Sequence, residues 1–309
     1  MNFRVDTILF SRDRAMQLDA ALRSFFLHCG DINFSPIHII FTTTSQQHRE
    51  QYISLQKEFQ DKNIRWIDEK DFFHDLLGLL WKIYYEDLPF SQKIKWSFLR
   101  SLPVPARFEY PILLPFNNRF ILFLVDDNLF VRDFLLSRLI SCINQDPTTL
   151  GFSLRLGKNT EYCFPVHSKQ NLPQFIKEKD ALLFNWCNAE LDFAYPLEIS
   201  SSIYRLNDIL SAINKSKFHN PNQFEGILAA HTKIFSKTKP FLFCAESSLT
   251  FCNPINRVQN VSLNRTGEWN EYKSDQLANL YDKGFRINVE FYNQFIPESC
   301  HQLVELNFY

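Results

Sequence analysis

The sequence predicts an α/β fold in which helices flank a mostly parallel central sheet. Strand-like and helix-like segments alternate over the first 130 residues. The run of residues 119–125, Arg-Phe-Ile-Leu-Phe-Leu-Val, is apolar after its first residue, as expected of a central strand buried on both faces. The chain shows no internal repeat and no break in composition, so its 309 residues are expected to form one domain.

The first half of the chain gives the clearest pattern. Residues 3–10 are rich in apolar, β-prone side chains and predict the first strand. A helix follows, because Leu18, Leu22, Phe25 and Cys29 recur at spacings of four, three and four. The later elements expected in this half are a strand at 36–43, a polar helix at 45–60, a strand at 64–67, helices at 71–86 and 93–102, and the strand at 119–125.

The second half is less regular and supports only a coarse prediction. Its expected elements are short strands near 150–154 and 241–244, and helices near 206–215, 221–234 and 274–282.

Composition and charge exclude several classes of protein. Thirty-three basic residues nearly balance 34 acidic ones, which argues against a surface built to bind nucleic acid. Hydrophobic residues make up 45% of the chain and include 32 phenylalanines, enough for a large core. The seven cysteines are odd in number and lack CxxC spacing, which favours reduced thiols. With no apolar segment typical of a signal peptide or a transmembrane helix, a cytoplasmic location is expected.

Two polar clusters follow predicted strands. Ser-Arg-Asp-Arg at 11–14 comes after the first strand, and Asp-Asp-Asn at 126–128 comes after the central one. Ligands of open α/β sheets bind beyond the carboxyl ends of the strands. Adjacent carboxylates at an apolar edge repel each other, and Mg²⁺ or Mn²⁺ would relieve that repulsion. The alternative is a solvated turn that caps the next element.

The scarcity of glycine narrows the kind of phosphate site. The chain has seven glycines and neither GxGxxG nor GxxxxGK[ST], so a glycine-rich phosphate cradle is absent. A nucleotide diphosphate would have to be neutralised by a metal ion and by cationic side chains. The candidates are Arg12, Arg14, Arg155 and Lys158.

Val-Asp-Asp-Asn at the end of a buried strand resembles the DxD element of GT-A glycosyltransferases, and the order of elements around it resembles family-two-like members. The chain is also similar to a group of uncharacterised bacterial proteins over roughly residues 5–301. The shared segments are Ser-Lys/Arg-Asp-Arg, Phe-Leu-Val-Asp-Asp, Phe-Ser-Leu-Arg-Leu-Gly-Lys-Asn (152–159), Asp-x-x-Tyr-Pro-Leu (192–197), Asn-Pro-Asn-x-x-Glu-Gly (220–226) and Pro-x-Asn-Arg-Val-Gln (254–259).

The resemblance implies a single GT-A-type, Rossmann-like domain over residues 1–309. Residues 1–130 would form the nucleotide-binding half, and residues 131–309 the acceptor-binding half with the C-terminal segment. The implied activity is metal-dependent transfer of a sugar from a UDP- or GDP-linked donor to a hydroxyl of a glycan or another acceptor, with inversion. Neither nucleic acid nor a transmembrane segment is expected.

The resemblance also assigns roles to residues. Asp127 and Asn128 would hold Mn²⁺ or Mg²⁺ against the diphosphate, with His301 as a further ligand. An acid is usual at the position of Asn128, whose neutral carbonyl binds a divalent cation more weakly. The residues expected to bind the nucleotide are Ser11, Arg12, Arg14, Asp68, Asp126 and Arg155.

Inversion needs a carboxylate base near the acceptor hydroxyl. Glu225 is the preferred candidate, although a carboxylate in the first turn of a helix can simply favour the helix dipole. Asp192 is the second candidate, and its alternative role is that of an ordinary loop acid.

Other functions stay open at this point. A catalytically inactive nucleotide- or glycan-binding protein would explain Asn128. A sugar-phosphate nucleotidyltransferase would usually open with a glycine-rich basic loop, and a phosphohydrolase of this kind would carry DxDxT. Both patterns are absent from the sequence.

Overall fold

A computed structural model describes residues 4–32, 35–86, 93, 119–213, 216–256 and 272–309. Within them, nine strands form one sheet in the order β3-β2-β1-β4-β11-β6-β12-β10-β9. The strands are β1 (Arg4–Arg12), β2 (Ile37–Thr42), β3 (Ile64–Asp68), β4 (Arg119–Val125), β5 (Asn128–Phe130), β6 (Thr149–Ser153), β7 (Tyr162–Cys163), β8 (Ser168–Lys169), β9 (Phe175–Glu178), β10 (Ala181–Asn185), β11 (Ser201–Arg205), β12 (Phe241–Cys244) and β13 (Thr250–Cys252).

The strand directions confirm an α/β fold with a mixed, mostly parallel sheet. Strands β3, β2, β1 and β4 are parallel neighbours, as are β6 and β12. Strand β11 is antiparallel to both β4 and β6, and β10 is antiparallel to both β12 and β9. Seven of the nine strands therefore run in one direction, and only β10 and β11 are reversed.

Helices cover both faces of this sheet. The helices are α1 (Ala15–His28), α2 (Gln46–Glu58), α3 (Phe72–Glu86), α4 (Leu136–Gln145), α5 (Leu206–Ile213), α6 (Pro221–Ala230), α7 (Thr232–Thr238) and α8 (Ser274–Asp282). Alternate residues of a strand point to opposite faces, so Leu9 packs in a core with α1 and α2, whereas Ile8 packs in a second core with α3, α5 and α6. The predicted helix at 93–102 lies outside the described residues except for residue 93.

Strand β4 is central, as its apolar sequence predicted. Its residues from Arg119 to Leu124 are buried, and it pairs with β1 on one side and with β11 on the other. The buried Arg119 guanidinium is paired at 2.8 Å with the Asp6 carboxylate of β1. Strand β11 was missing from the sequence prediction, because Ser-Ser-Ile-Tyr-Arg does not read as an apolar strand.

A cluster of phenylalanine rings packs α6 against the sheet. The Phe224 ring lies 5.5 Å from that of Phe123 in β4, and Phe123 lies 6.1 Å from Phe10 in β1. Phe218 packs against Phe224 at 5.0 Å, just before α6 begins. Asn220 caps this helix by accepting from the Gln223 N–H, and Pro221 occupies its first turn. The N-terminus of α6 is thereby held beside the ends of β1 and β4.

A small second sheet brings the C-terminal segment to the same edge. Strands β5 and β13 pair in antiparallel fashion, which sets Cys252 opposite Asn128. Cys252 also forms a parallel bridge with His301. The segment around His301 therefore lies next to the turn that follows β4.

No helix of the described residues has both the length and the apolar character needed to cross a membrane. All seven cysteines carry free thiols in the structure.

Candidate active site

An open cavity of about 730 Å³ lies beyond the carboxyl ends of β1 and β4. It brings together nine of the eleven predicted site residues from widely separated parts of the chain. These nine are Ser11, Arg12, Arg14, Asp126, Asp127, Arg155, Asp192, Glu225 and His301. The other two, Asp68 and Asn128, do not line this cavity.

Asp126 fixes the loop that follows β1. Its Oδ2 atom accepts hydrogen bonds from the Ser11 hydroxyl at 2.9 Å and from the Arg12 backbone N–H at 3.2 Å. Its Oδ1 atom accepts from Arg14 Nη1 at 2.9 Å. Both carboxylate oxygens are thus occupied by the Ser-Arg-Asp-Arg loop, and the two sequence clusters form one hydrogen-bonded unit.

Arg14 is the cation that neutralises the acidic pair in this structure. Its Nη1 atom also lies 3.4 Å from Asp127 Oδ2, and its Nη2 atom donates to the Asn256 carbonyl. Burial opposes the charge of this side chain, but Asp126 and Asp127 raise its pKa above the ordinary value. The Nε atom is buried without a hydrogen-bond partner. Arg14 therefore presents a fixed, charged guanidinium at the cavity wall.

Asp13 fixes the conformation of the same loop, which follows β1. Its backbone is left-handed, with φ of 53°, and its carboxylate accepts from the Thr44 N–H at 2.7 Å and from the Thr44 hydroxyl at 2.8 Å. These bonds tie the end of β1 to the end of β2.

We expect Asp13→Ala to lower the free energy of unfolding by about 2–4 kcal/mol, because it removes two charge-assisted hydrogen bonds and places alanine in a left-handed backbone. Asp13→Asn tolerates that backbone and should cost less. Urea denaturation of both variants measures the difference. Equal stability of Asp13→Ala and the wild type would contradict this role.

Asn128 and Asp68 have local partners instead. The Asn128 Oδ1 atom accepts from the Val125 N–H at 2.9 Å, and its Nδ2 atom donates to Cys252 Sγ at 3.4 Å. An amide suits this buried position because it supplies both an acceptor and a donor. Asp68 pairs with Lys70 at 2.7 Å, and the neighbouring Glu69, which sequence reasoning missed, lines the cavity instead.

Asp127 and His301 are the residues of the cavity whose side chains are best suited to bind a metal ion. Both lie beside Cys252: the Asp127 carbonyl accepts from the N–H of Asn253, the residue after Cys252, at 2.9 Å, and the Cys252 backbone bridges to His301. Burial raises the pKa of Asp127 to about 6, with Arg14 opposing and Asp126 adding to the shift. Burial, with Arg155 adding, lowers the pKa of His301 to about 3, so its imidazole is neutral at pH 7. Its buried Nδ1 atom has no hydrogen-bond partner.

The set of donors is small. Within the described part of the chain, no three His, Cys, Asp or Glu side chains are grouped so that they could hold a metal ion. A carboxylate and a neutral imidazole nevertheless fit a divalent cation whose remaining ligands come from phosphate and water, as Mg²⁺ sites commonly do.

Glu225, the preferred candidate base, places a carboxyl with a raised pKa in the cavity wall. Its Oε1 atom accepts from the Ile199 N–H at 3.4 Å, and the residue lines the cavity. Burial raises its pKa to about 7; the nearby Glu198 adds to this shift, and Arg155 opposes it. A carboxyl that titrates near neutral pH can accept a proton there with the least loss of driving force.

A buried pair behind Glu225 was missed by sequence reasoning. Arg155 Nη1 donates to the Ser200 hydroxyl at 3.1 Å and lies 3.8 Å from Glu198 Oε2. Glu198 also accepts from the Ser200 N–H at 2.5 Å, from the Ser201 N–H at 3.0 Å and from the Ser202 hydroxyl. The only sequence signal for this arrangement is the run of serines that follows the glutamate.

Asp192 has a different setting from Glu225. It is buried, its Oδ2 atom accepts from Gln170 Nε2 at 3.4 Å, and its N–H donates to Gln170 Oε1 at 3.0 Å. Burial raises its pKa, and Arg155 opposes that shift. These bonds give Asp192 a role in holding the cavity wall.

The chain matches no protein-family model. In an alignment of 281 residues that covers 82% of this chain, it is 27% identical to the bifunctional glycosyltransferase pgtA of Dictyostelium discoideum. The chain spans about a third of that protein, 32% of its length.

Solved structures with a similar course of the chain include S. aureus TarS 1–349 in complex with UDP-GlcNAc. The TM-score is 0.43 at 11% identity, over 83% of this chain and 60% of that one. The mannosyltransferase PcManGT from Pyrobaculum calidifontis, in complex with GDP-Man and Mn²⁺, gives a TM-score of 0.29 at 10% identity, over 55% of this chain and 43% of that one. These scores are too low to bear on function.

Proposed function

We propose that this chain is a glycosyltransferase of the GT-A type, which moves a sugar from a nucleoside-diphosphate donor to an acceptor hydroxyl. The proposal depends on one observation. A single cavity holds both the Arg14 guanidinium, which is paired with two aspartates, and the Glu225 carboxyl, whose pKa is about 7. The sequence similarity to part of a bifunctional glycosyltransferase supports it.

The two groups divide the chemistry. Arg14, with the exposed Arg12 beside it, would bind the diphosphate and offset the negative charge that grows on it as the sugar leaves. Glu225 would take the proton of the acceptor hydroxyl while that oxygen bonds to the anomeric carbon and the bond to the diphosphate breaks. One base and one displacement give inversion at the sugar carbon.

A Mn²⁺ or Mg²⁺ ion is part of the proposal. Asp127 and His301 would hold it, and when bound it would supply positive charge at the leaving diphosphate. Asn128 is left out of this set because its amide oxygen accepts from the Val125 N–H and its amide nitrogen donates to Cys252 Sγ in β13.

Metal removal is expected to weaken binding of the nucleotide. Because only two protein ligands are proposed, Mn²⁺ alone should bind weakly, and Mn²⁺ together with UDP or GDP should bind at least about tenfold more tightly. Calorimetry with each component alone and with both measures this coupling. Asp127→Asn and His301→Ala should abolish it, and Glu246→Gln, an exposed carboxylate, should not. Coupling that survives both substitutions would contradict the assigned ligands.

The pH dependence follows from the Glu225 pKa. The base acts only when deprotonated, so kcat/KM should fall about tenfold per pH unit below 7 and level off above it. Initial rates between pH 5 and 9 with one donor and one acceptor give the profile. A flat profile between pH 5.5 and 7.5 would contradict Glu225 as the base.

The function itself is tested with a panel of UDP- and GDP-linked sugars in the presence of Mn²⁺. Slow release of UDP or GDP without acceptor, faster release with an acceptor, and a glycosylated product by mass spectrometry are expected. Binding of these nucleotides without any turnover would reject the enzyme.

Nucleotide binding without turnover would favour the second candidate function, that of a nucleotide- or glycan-binding protein without activity. One observation supports it: Arg14 already neutralises the acidic pair, so this part of the site needs no metal ion to offset the two carboxylates. Nucleotide binding that does not respond to Mn²⁺ would agree with this alternative.

A further inference from the structure

One wall of the cavity carries exposed apolar side chains, which we call the apolar rim: Pro165, Val166, Leu191 and Tyr195. Val166 is 54% exposed, and Leu191 and Tyr195 are each 37% exposed. The rim comes from two segments, the turn between β7 and β8 and the turn at Leu191–Ala194. Apolar side chains grouped at the mouth of a cavity are typical of a place where a ligand binds.

The backbone at the rim is strained. Leu191 has φ of 49°, and His167, directly after Val166, has φ of 51°. Left-handed backbone is unfavourable for residues other than glycine, and such strain is found where a binding surface has to be held in a set shape.

The two rim segments are joined by a buried side-chain pair. Gln170, just after β8, exchanges two hydrogen bonds with Asp192 in the second turn, at 3.0 and 3.4 Å. The first turn is also held by the Ser299 hydroxyl, which accepts from the Phe164 N–H at 3.3 Å. The apolar rim is therefore a preformed surface, and its side chains are held exposed at the mouth of the cavity.

Tyr195 links this surface to the proposed base. Only the short segment 195–199 separates it from the Ile199 N–H that bonds to Glu225. Tyr195 and Glu225 line the same cavity, and burial and the Glu225 carboxyl both raise the pKa of the Tyr195 phenol.

The charges around the rim narrow the class of ligand. Asp192 and Glu225 are acidic, and the nearby lining cation Arg155 is paired with Glu198, so an anionic group is disfavoured here, while the proposed diphosphate side of the cavity carries Arg12 and Arg14. A purely apolar ligand would offer no hydroxyl proton to the Glu225 carboxyl. A neutral sugar ring satisfies both conditions, because it offers an apolar C–H face and several hydroxyls.

We infer that the apolar rim is the acceptor site and that it takes a neutral sugar, with the C–H face of the ring on Tyr195 and a hydroxyl directed to Glu225. The inference rests on the proposed function and goes beyond it by naming the class of acceptor and the residues that select it.

Saturation-transfer NMR on the wild-type chain with UDP or GDP tests this directly. The probes are the methyl glycosides of glucose, galactose, mannose and N-acetylglucosamine, with methyl glucuronide as the anionic counterpart. We expect saturation at ring C–H protons of at least one neutral glycoside and a weaker signal for the glucuronide. Tyr195→Ala should weaken glycoside binding about tenfold, and Tyr195→Phe about twofold or less, because the ring face is retained.

Binding of UDP or GDP, measured in the same samples, should be unchanged in both variants. Tyr309→Ala, at an exposed tyrosine outside the cavity lining, is the matched control. If nucleotide binds but no neutral glycoside does, if the glucuronide binds more tightly, or if Tyr195→Ala has no effect, the rim assignment is wrong while the proposed function stands. If neither UDP nor GDP binds to the wild type, both are wrong.

Discussion

Replacing Glu225 with glutamine is expected to lower kcat for sugar transfer by about 10³-fold, because the amide cannot accept the proton of the acceptor hydroxyl. Glutamine keeps the size of the side chain and its oxygen can still accept from the Ile199 N–H. The affinity for UDP or GDP should therefore change by about twofold or less. Single-turnover rates, with nucleotide affinity from calorimetry, separate the two quantities. The exposed Glu246→Gln is the control and should behave like the wild type.

Glu225→Gln also tests the environment of Glu225 through protein stability, independently of catalytic activity. The folded structure raises the pKa of Glu225 from 4.5 to about 7, so the unfolded chain releases this proton at lower pH than the folded protein does. Stability therefore falls as the pH rises from about 4.5 to about 7, and the full loss is present above pH 7. Glu225→Gln should therefore melt at a higher temperature than the wild type at pH 8 and at a similar temperature at pH 4. Loss of activity without this pH-dependent difference would mean that Glu225 does not have the environment described.

Arg14→Met is expected to have the second large effect. Removing the guanidinium leaves Asp126 and Asp127 buried without their cation, and breaking a buried pair in this way costs about 3–5 kcal/mol of stability. Urea denaturation measures this loss. Affinity for UDP or GDP should fall at least about tenfold, because one charge-assisted contact to the diphosphate is lost.

A triple variant separates the two consequences. In Arg14→Met with Asp126→Asn and Asp127→Asn, the unpaired charges are gone, so much of the stability should return. Nucleotide affinity, measured without Mn²⁺ because Asp127 is a proposed metal ligand, should stay low, since the guanidinium is still missing. Recovery of both stability and nucleotide affinity would show that Arg14 serves only to neutralise the acidic pair.

The sequence was sufficient to predict much of the fold and of the cavity. An apolar strand followed at once by acids identifies β4 and its carboxyl end, and the parallel order places the Ser-Arg-Asp-Arg loop beside it. The contact between Ser11 and Asp126 is a consequence of that geometry. These predictions succeed because they depend on burial and on strand direction, both of which leave a pattern in the sequence.

The remainder depends on partners that are distant along the chain. Nothing in Asp-Asp-Asn shows that the third side chain closes its own turn and bonds to Cys252. Strand β11 escaped detection because its serines look polar, although Ser202 is buried and bonded to Glu198. Arg155 reads as a surface cation until this glutamate is placed next to it.

The phenylalanine cluster between α6 and the sheet has a consequence for how the molecule can move. Phe224 directly precedes Glu225, and Phe10 directly precedes Ser11, so the rings that join α6 to β1 and β4 lie one residue away from each half of the chemistry. A hinge between the proposed base and the Ser-Arg-Asp-Arg loop would have to pull these rings apart. Any opening and closing of the cavity should therefore come from its other walls, and the distance between the two proposed functional groups is set before either proposed substrate binds.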